Sequence, residues 1–261
     1  MRVLIDVRLL SRGGQSGIEE YTIQTLNHLF QTKSHYQWQL FYQGWKKSPL
    51  PNNWLLDNTI KITNWQYPNK LFDIWRPKID CHVKTDLVYS PHINIIRTHK
   101  VPHILTIHDL SFVHHPYFFS FKHRLWHKMQ SYKKQIQKSS AIIANSLYTK
   151  NDLVNTLSIP PEKITAIYPG INPNLKKINI ARPEKLKAPY ILYLGTLEPR
   201  KNIPLIIKAF NIIKQKNHFK DLKLVLAGKS GWLYEKIFKT IETSPYKSQI
   251  IICIPFYICI D

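Results

Sequence analysis

The run Leu192-Tyr193-Leu194-Gly195-Thr196-Leu197-Glu198-Pro199-Arg200-Lys201-Asn202 constrains this chain more than any other segment. An apolar strand enters a glycine turn. The turn presents a carboxylate, a guanidinium and an ammonium in close succession, and Asn202 opens a helix. Such a turn lies at the C-terminal end of a strand, where open α/β sheets bind ligands. Arg200 and Lys201, with the N–H groups of the next helix start, suit a diphosphate. Two adjacent cations behind an apolar strand are costly to desolvate unless water or an anion compensates them. Solvated surface charge is the competing account of this pair.

Short apolar runs recur along the chain, as in a parallel sheet covered on both faces. Residues 2–7, 38–42, 60–62, 86–89, 104–107, 141–144 and 164–167 read as strands. Helical patterns fill the gaps. One spans about 18–30, with Ile18, Tyr21, Thr25, Leu26 and Leu29 on a face. A second runs over 121–138, with Leu125, Met129, Tyr132 and Ile136 on a stripe, and a third is capped by Ser146 and carries Leu153, Val154 and Leu157. Alternating strands and helices define an α/β architecture.

Lys176 to Pro189 follows neither pattern, so 178–189 reads as a linker between a domain over 1–177 and a second over 190–261. Beyond it, strand 190–194, a helix near 203–214 with Ile206, Phe210 and Ile213 on one face, and strand 222–227 make one βαβ unit. The tail from Ile250 carries no turn signal, and the second domain reads as incomplete.

The formal net charge of +21 raises nucleic acid or an anionic membrane as partners. No run of five or more like charges appears, so most lysines read as solvated helix faces. Cys81, Cys253 and Cys259 have no metal-type spacing, and their odd number argues against a disulfide framework and for a reducing cytoplasm. Asp6 and Arg8 interrupt the N-terminal apolar run, which reads as a first strand rather than an export signal.

Four further places carry candidate chemistry. Gly13-Gly14-x-x-Gly17 joins the first strand to the first helix, although Glu19 and Glu20 would repel an anion there. His108 and Asp109 end a buried strand, where a His beside an Asp can hydrogen-bond the hydroxyls of a polar ligand. Gly228, at the end of strand 222–227, would let a nucleotide approach the backbone. On helix 121–138, Lys122, Arg124, Lys128, Lys133, Lys134 and Lys138 surround the apolar stripe, beside Phe118, Phe119, Phe121 and Trp126. That helix either docks on an anionic bilayer or packs into the core with a solvated basic face. The histidines at 103, 114, 115, 123 and 127 match no common zinc spacing, so no metal is expected.

Five ordered segments together resemble the retaining family-4 glycosyltransferases, group 1 type, which have the GT-B fold of two facing Rossmann-like, doubly wound domains. The segments are the Gly13–Gly17 turn, Thr106-x-His108-Asp109, Ser146 with Thr149, Asp152 and Leu153, Tyr168-Pro169-Gly170-Ile171-Asn172, and Gly195-Thr-x-Glu-Pro-Arg-Lys-Asn202, the last followed by Leu226-Ala-Gly-Lys229-Ser230-Gly231. The resemblance implies transfer of a hexose from a nucleotide diphosphate sugar to a glycan or lipid-linked acceptor, with no cofactor. Arg200 and Lys201 would stabilise the departing diphosphate, and His108 would hold the sugar. Gly195, Glu198, Asn202 and Gly228 would shape the donor site, while Gly13, Gly14, Gly17 and Asp109 would line the cleft or acceptor loop. The Gly-Thr-x-Glu-Pro-Arg-Lys-Asn form points to mannose, hence GDP-mannose.

The chain also departs from the family pattern. Glu19-Glu20 replaces the usual small-residue–Arg pair, and Asn172 replaces the usual Asp. The paired-glutamate segment E-x7-E is absent, so a C-terminally truncated, impaired enzyme is expected, cytoplasmic or peripheral at the inner membrane face. The alternative is a non-catalytic basic module on nucleic acid or anionic membrane, which the lack of a nucleic-acid motif disfavours. A nicotinamide-dependent oxidoreductase is excluded by the absence of G-x-G-x-x-G after a strand.

Overall fold

The computed structural model describes residues 1–12, 16–32, 35–44, 50–66, 74–171 and 186–253. Gly13, Gly14, Asn172 and residues 178–185 of the expected linker lie outside them. The chain divides into two compact units, Met1–His114 with Lys122–Leu175, and His115–Phe121 with Lys176–Asp261.

The first unit is built on seven parallel strands: β1 (Arg2–Asp6), β2 (Gln37–Gln43), β3 (Ile60–Trp65), β4 (Leu87–Ser90), β5 (His103–Ile107), β6 (Ala141–Ala144) and β7 (Ile164–Ala166). Their order is β3-β2-β1-β4-β5-β6-β7. The order reverses between β1 and β4, which pair with Val3 opposite Leu87 and Ile5 opposite Tyr89. That reversal opens a crevice outside the C-terminal ends of both strands, the usual ligand position in such sheets. Val3 and Ile5 pack with Leu26, Trp38 and Trp54 on one face. Leu4 packs with Phe41, Ile79 and Val88 on the other. Burial on both faces accounts for the mainly apolar strands.

Helix α1 (Gly17–Gln31) starts with a reciprocal capping box. The Ser16 hydroxyl accepts from Glu19 N, and Glu19 Oε2 accepts from Ser16 N at 2.6 Å. Glu19 is therefore held by the helix start, and it is buried. The face that packs inward is Thr22 and Leu26 with Ile23, Leu29 and Phe30. Ile18, expected on it, is exposed.

The single helix expected over 121–138 is two helices, α2 (Phe121–Met129) and α3 (Tyr132–Lys138), broken at Ser131 with φ 50°. No Gly or Pro marks this break. Only α3 buries a core residue of the expected stripe, Ile136. In α2 nothing is buried, and Phe121, Leu125 and Met129 are 72%, 49% and 38% exposed. Helix α4 (Leu147–Leu157) is capped by Ser146, whose hydroxyl accepts from Thr149 N at 3.0 Å, and it buries Leu153 and Leu157.

In the second unit, β8 (Tyr190–Leu194), α5 (Ile203–Lys214), β9 (Lys223–Ala227), α6 (Glu235–Glu242) and β10 (Ile250–Cys253) form a parallel sheet in the order β10-β9-β8. Within the tail expected to be unpatterned, Ile250–Cys253 is a strand, with Ile250 opposite Leu224 and Cys253 opposite Ala227, and the rest of the tail lies outside the described residues. Three consecutive isoleucines suit a covered strand without needing a turn signal. Cys253 is disulfide-bonded, against the expectation of unpaired thiols, whereas Cys81 is exposed and free.

Ile203, Ile207, Phe210, Ile237 and Ile241 cover one face of this sheet. Helix α5 buries Ile203, Ile207, Phe210 and Lys214, a stripe rotated from the expected one, to which Ile206 is only partly buried. Burial of Lys214 is matched by hydrogen bonds from Nζ to the carbonyls of Phe219 (2.7 Å), Leu222 (3.1 Å) and Lys220. The other face carries Val225, Ala227 and Cys253 with Leu186, Tyr190 and Ile251. Strand β8 is at the sheet's edge among the described residues, with Leu192 and Leu194 exposed.

Candidate functional site

In the first unit, His108 follows β5 directly, beside the crevice. Its Nε2 lies 2.8 Å from the Pro91 carbonyl. A carbonyl only accepts, so Nε2 carries the proton and Nδ1 is the acceptor of the neutral ring. Burial holds the His108 pKa below the usual histidine value, outweighing the Pro91 hydrogen bond and the Asp109 charge. The ring also packs edge-to-face on Tyr21 of α1, with centroids 4.8 Å apart at 89°. The His108 carbonyl is 3.2 Å from the Thr149 hydroxyl, which also lies 3.1 Å from Asn145 Oδ1, so one proton serves two acceptors in turn.

Asp109 closes the turn after β5, its Oδ1 accepting from Ser111 N (2.9 Å) and Ser111 Oγ (2.6 Å). Deeper in the sheet, Tyr89 and Thr106 hydroxyls meet at 3.1 Å. Burial, then the Tyr21 side chain, pushes the Tyr89 phenol up. Gly17 is the first residue of α1, and a Cβ there would meet nothing within 4 Å, so the protein itself does not require glycine at this place.

In the second unit, the Leu192–Asn202 turn is bound to the end of β9. Gly195 N donates to the Ala227 carbonyl and Leu197 N to the Lys229 carbonyl, both at 2.9 Å. Gly231 N returns a bond to the Leu197 carbonyl at 3.0 Å. Gly195 and Gly228 have φ of 152° and 150°, a region other residues rarely enter. Gly228 is needed for the approach of Gly195: a Cβ on it would lie 2.0 Å from the Gly195 oxygen.

Glu198 is buried and pairs with Arg200, Oε1 to Nε at 3.0 Å. The compensation that the adjacent cations require comes in part from this carboxylate, which fixes the guanidinium at its Nε edge. Lys201 is exposed and makes no ion pair among the described residues. Asn202 precedes α5 in the left-handed region, φ 46° and ψ 41°, and its side chain caps nothing. The helix start also offers fewer donors than expected. Pro204 has no N–H, and Leu205 N already donates to the Asn202 carbonyl.

Tyr21 and Pro91 escaped the sequence reading of the site, and Thr149 entered it only through the Ser146 segment, not as a partner of His108. Pro91 acts through a backbone carbonyl, which has no residue-type signature. Among the described residues, no group of three His, Cys, Asp or Glu side chains is placed to hold a metal ion.

A seven-stranded unit with a switch-point crevice, and a βαβ unit whose first turn carries paired cations, define an α/β protein of the GT-B glycosyltransferase type. The chain belongs to Glycosyltransferase Family 4, whose sequence model matches residues 16–175, and the Glycosyl transferases group 1 model matches 176–252. It is similar to the O-antigen chain mannosyltransferase B of Escherichia coli, 22% identical over 53% of this chain and 38% of that protein. It is also similar to the N-acetylgalactosamine-N,N'-diacetylbacillosaminyl-diphospho-undecaprenol 4-alpha-N-acetylgalactosaminyltransferase of Campylobacter jejuni subsp. jejuni serotype O:2, 32% identical over 44% of this chain and 30% of that protein. The matched regions thus span well under half of these relatives.

Solved structures with the same fold include the sucrose-phosphate synthase of Thermosynechococcus elongatus, with TM-score 0.66 and 14% identity, covering 99% of this chain and 72% of that one. Another is WaaG, a glycosyltransferase involved in lipopolysaccharide biosynthesis, with TM-score 0.63 and 13% identity, covering 97% and 69%.

Proposed function

We propose that this chain serves a glycosyltransferase that moves a hexose from a nucleotide diphosphate sugar to a glycan or lipid-linked acceptor, with retention of the anomeric configuration. The observation that carries this reading is the Gly195–Asn202 turn. It holds a guanidinium by a buried carboxylate beside an exposed ammonium, at the C-terminal end of a parallel strand. As the bond between the anomeric carbon and the diphosphate breaks, negative charge grows on the leaving oxygens. Arg200 and Lys201 stabilise that charge, and removing one such donor costs about 100-fold or more in rate in comparable sites. The neutral His108 ring offers Nδ1 to a hydroxyl of the sugar.

The names of the two relatives, a mannosyltransferase and an N-acetylgalactosaminyltransferase, make mannose and N-acetylgalactosamine the sugars to compare, here as GDP-mannose and UDP-N-acetylgalactosamine. The C. jejuni relative's diphospho-undecaprenol acceptor favours a lipid-linked acceptor here too. Contact with an anionic membrane is part of the same reading, supported by the outward stripe of α2 and its neighbours Lys122, Arg124 and Lys128. No helix among the described residues is long and apolar enough to cross a membrane. Calorimetric titration with the two sugar nucleotides, UDP and GDP tests the proposal. Binding by one nucleotide series, weakened in Lys201→Ala, supports it; no binding by any of the four overturns it.

A further inference from the structure

Behind the crevice lies an ion pair with almost no contact with solvent. Asp6 is 0% and Arg8 2% exposed. Arg8 grips the carboxylate with both arms, Nε to Oδ1 at 2.8 Å and Nη2 to Oδ2 at 2.7 Å, and Arg8 N adds a bond to Oδ1 at 3.1 Å. Burial alone would raise the Asp6 pKa, but the Arg8 charge and hydrogen bonds outweigh it and hold the carboxyl below its usual range. Apolar residues of similar volume often stabilise a core at least as well as such a pair. Its geometry points to a role beyond stability.

Arg8 Nη2 also donates to the Ile95 carbonyl at 2.8 Å, and Ile95 N donates to Gln130 Oε1 at 2.6 Å. Gln130 is fully buried, and its carbonyl accepts from Gln135 Nε2 at 2.7 Å. Ile95 is thus clamped at both backbone groups, in a segment, 91–95, that has no helix or strand of its own. At the other end of that segment is Pro91, whose carbonyl holds His108 Nε2. His92, between them, is buried close to Asp6.

We propose that the Asp6–Arg8 pair is a positioning device for His108. It fixes segment 91–95 so that the Pro91 carbonyl holds the Nε2 proton, leaving Nδ1 as the atom offered to the ligand. Asp6 and Arg8 touch no substrate in this account and act through the backbone of Ile95 and Pro91. The proposal rests on the ligand role given to His108 above, but its test does not need a sugar nucleotide.

The test is proton exchange at His108 Nε2, read by nuclear magnetic resonance on the labelled full chain. In the native chain the Nε2–H signal is expected to be protected. In Arg8→Lys the positive charge remains, but one ammonium cannot keep the bidentate grip on Asp6 and the Ile95 bond together. Exchange at Nε2 then speeds up by about tenfold, the scale of one lost hydrogen bond. The amide of Leu105 in β5 and the His114–Asp152 pair serve as controls and are expected not to change. Gln130→Met, which removes the other clamp without touching a charge, should shift exchange in the same direction and decides the matter where Arg8→Lys does not fold.

A folded variant whose Nε2–H is as protected as the native one overturns the proposal. So does a native chain in which Nε2 carries no proton, or a variant that loosens Leu105 equally. Loss of protection in a chain that binds no nucleotide would leave the positioning intact and overturn only the glycosyl-transfer reading.

Discussion

The backbones of Gly195 and Gly228 approach so closely that a Cβ on Gly228 would lie 2.0 Å from the Gly195 carbonyl oxygen and 2.6 Å from its carbon. Neither atom belongs to a flexible side chain that could move aside. The turn that bears Arg200 and Lys201 is therefore seated on β9 by a contact only glycine allows.

Gly228→Ala is accordingly expected to cost about 3 kcal/mol, from the clash and a φ of 150° that alanine rarely adopts. Gly17→Ala is the contrast, because a Cβ there meets nothing within 4 Å. It should be neutral or stabilise by about 0.5 kcal/mol through the unfolded chain. Urea denaturation of both variants reads the difference, and equal midpoints would contradict it.

Glu198→Gln removes the charge that fixes Arg200 while keeping the shape of the side chain. Nucleoside diphosphate affinity should fall by about tenfold, since a charged hydrogen bond that orients the guanidinium is lost. Calorimetry with UDP and GDP measures it. An unchanged affinity would mean that Arg200 needs no such support.

Stability should fall as the pH drops below neutrality. Burial lowers the His103 pKa from 6.5 to about 4, so between those values the unfolded chain takes up a proton that the folded chain refuses. The contribution is complete above 6.5 and declines toward pH 4, by up to about 1.4 kcal/mol per pH unit. Asp6, lowered by Arg8, adds a loss at more acid pH, as its carboxyl protonates below the usual carboxylate value of 3.8. His103→Gln should flatten the upper part of the profile by one proton, as read from denaturation midpoints between pH 7.5 and 4.5 (about the span of that titration).

The full chain is expected to sediment with vesicles of phosphatidylglycerol and phosphatidylcholine, and not with phosphatidylcholine alone. Each cation of α2 near such a surface contributes about 1 kcal/mol, and the stripe of Phe121, Leu125 and Met129 adds apolar insertion. Leu125→Ser should weaken binding by about tenfold or less, and added salt should weaken it further. Equal sedimentation with both vesicle types would exclude the electrostatic part.

Most of the strands were legible in the sequence, because a sheet buried on both faces imprints a simple apolar signal on each; Ile250–Cys253 was the one missed among the described residues. Leu105 and Ile107, or Leu224 and Leu226, could be placed from that signal alone. The break at Ser131 left no such mark, since a left-handed residue held by its surroundings need not be Gly or Asn. The inward face of α1 was misjudged for a related reason. The capping box sets where the helix starts, and Thr22 faces inward while Ile18 does not. At the candidate site, Arg200 and Lys201 announced themselves by charge. The partners of His108 did not, because one is a carbonyl and another, Tyr21, lies 87 positions earlier on α1.

Strand β8 bears on how the protein can be handled. Among the described residues it is an edge strand, with Leu192 and Leu194 53% and 63% exposed. Such an edge is a template for another strand. Leu192→Lys, a single gatekeeper in mid-strand, should raise solubility without altering the fold.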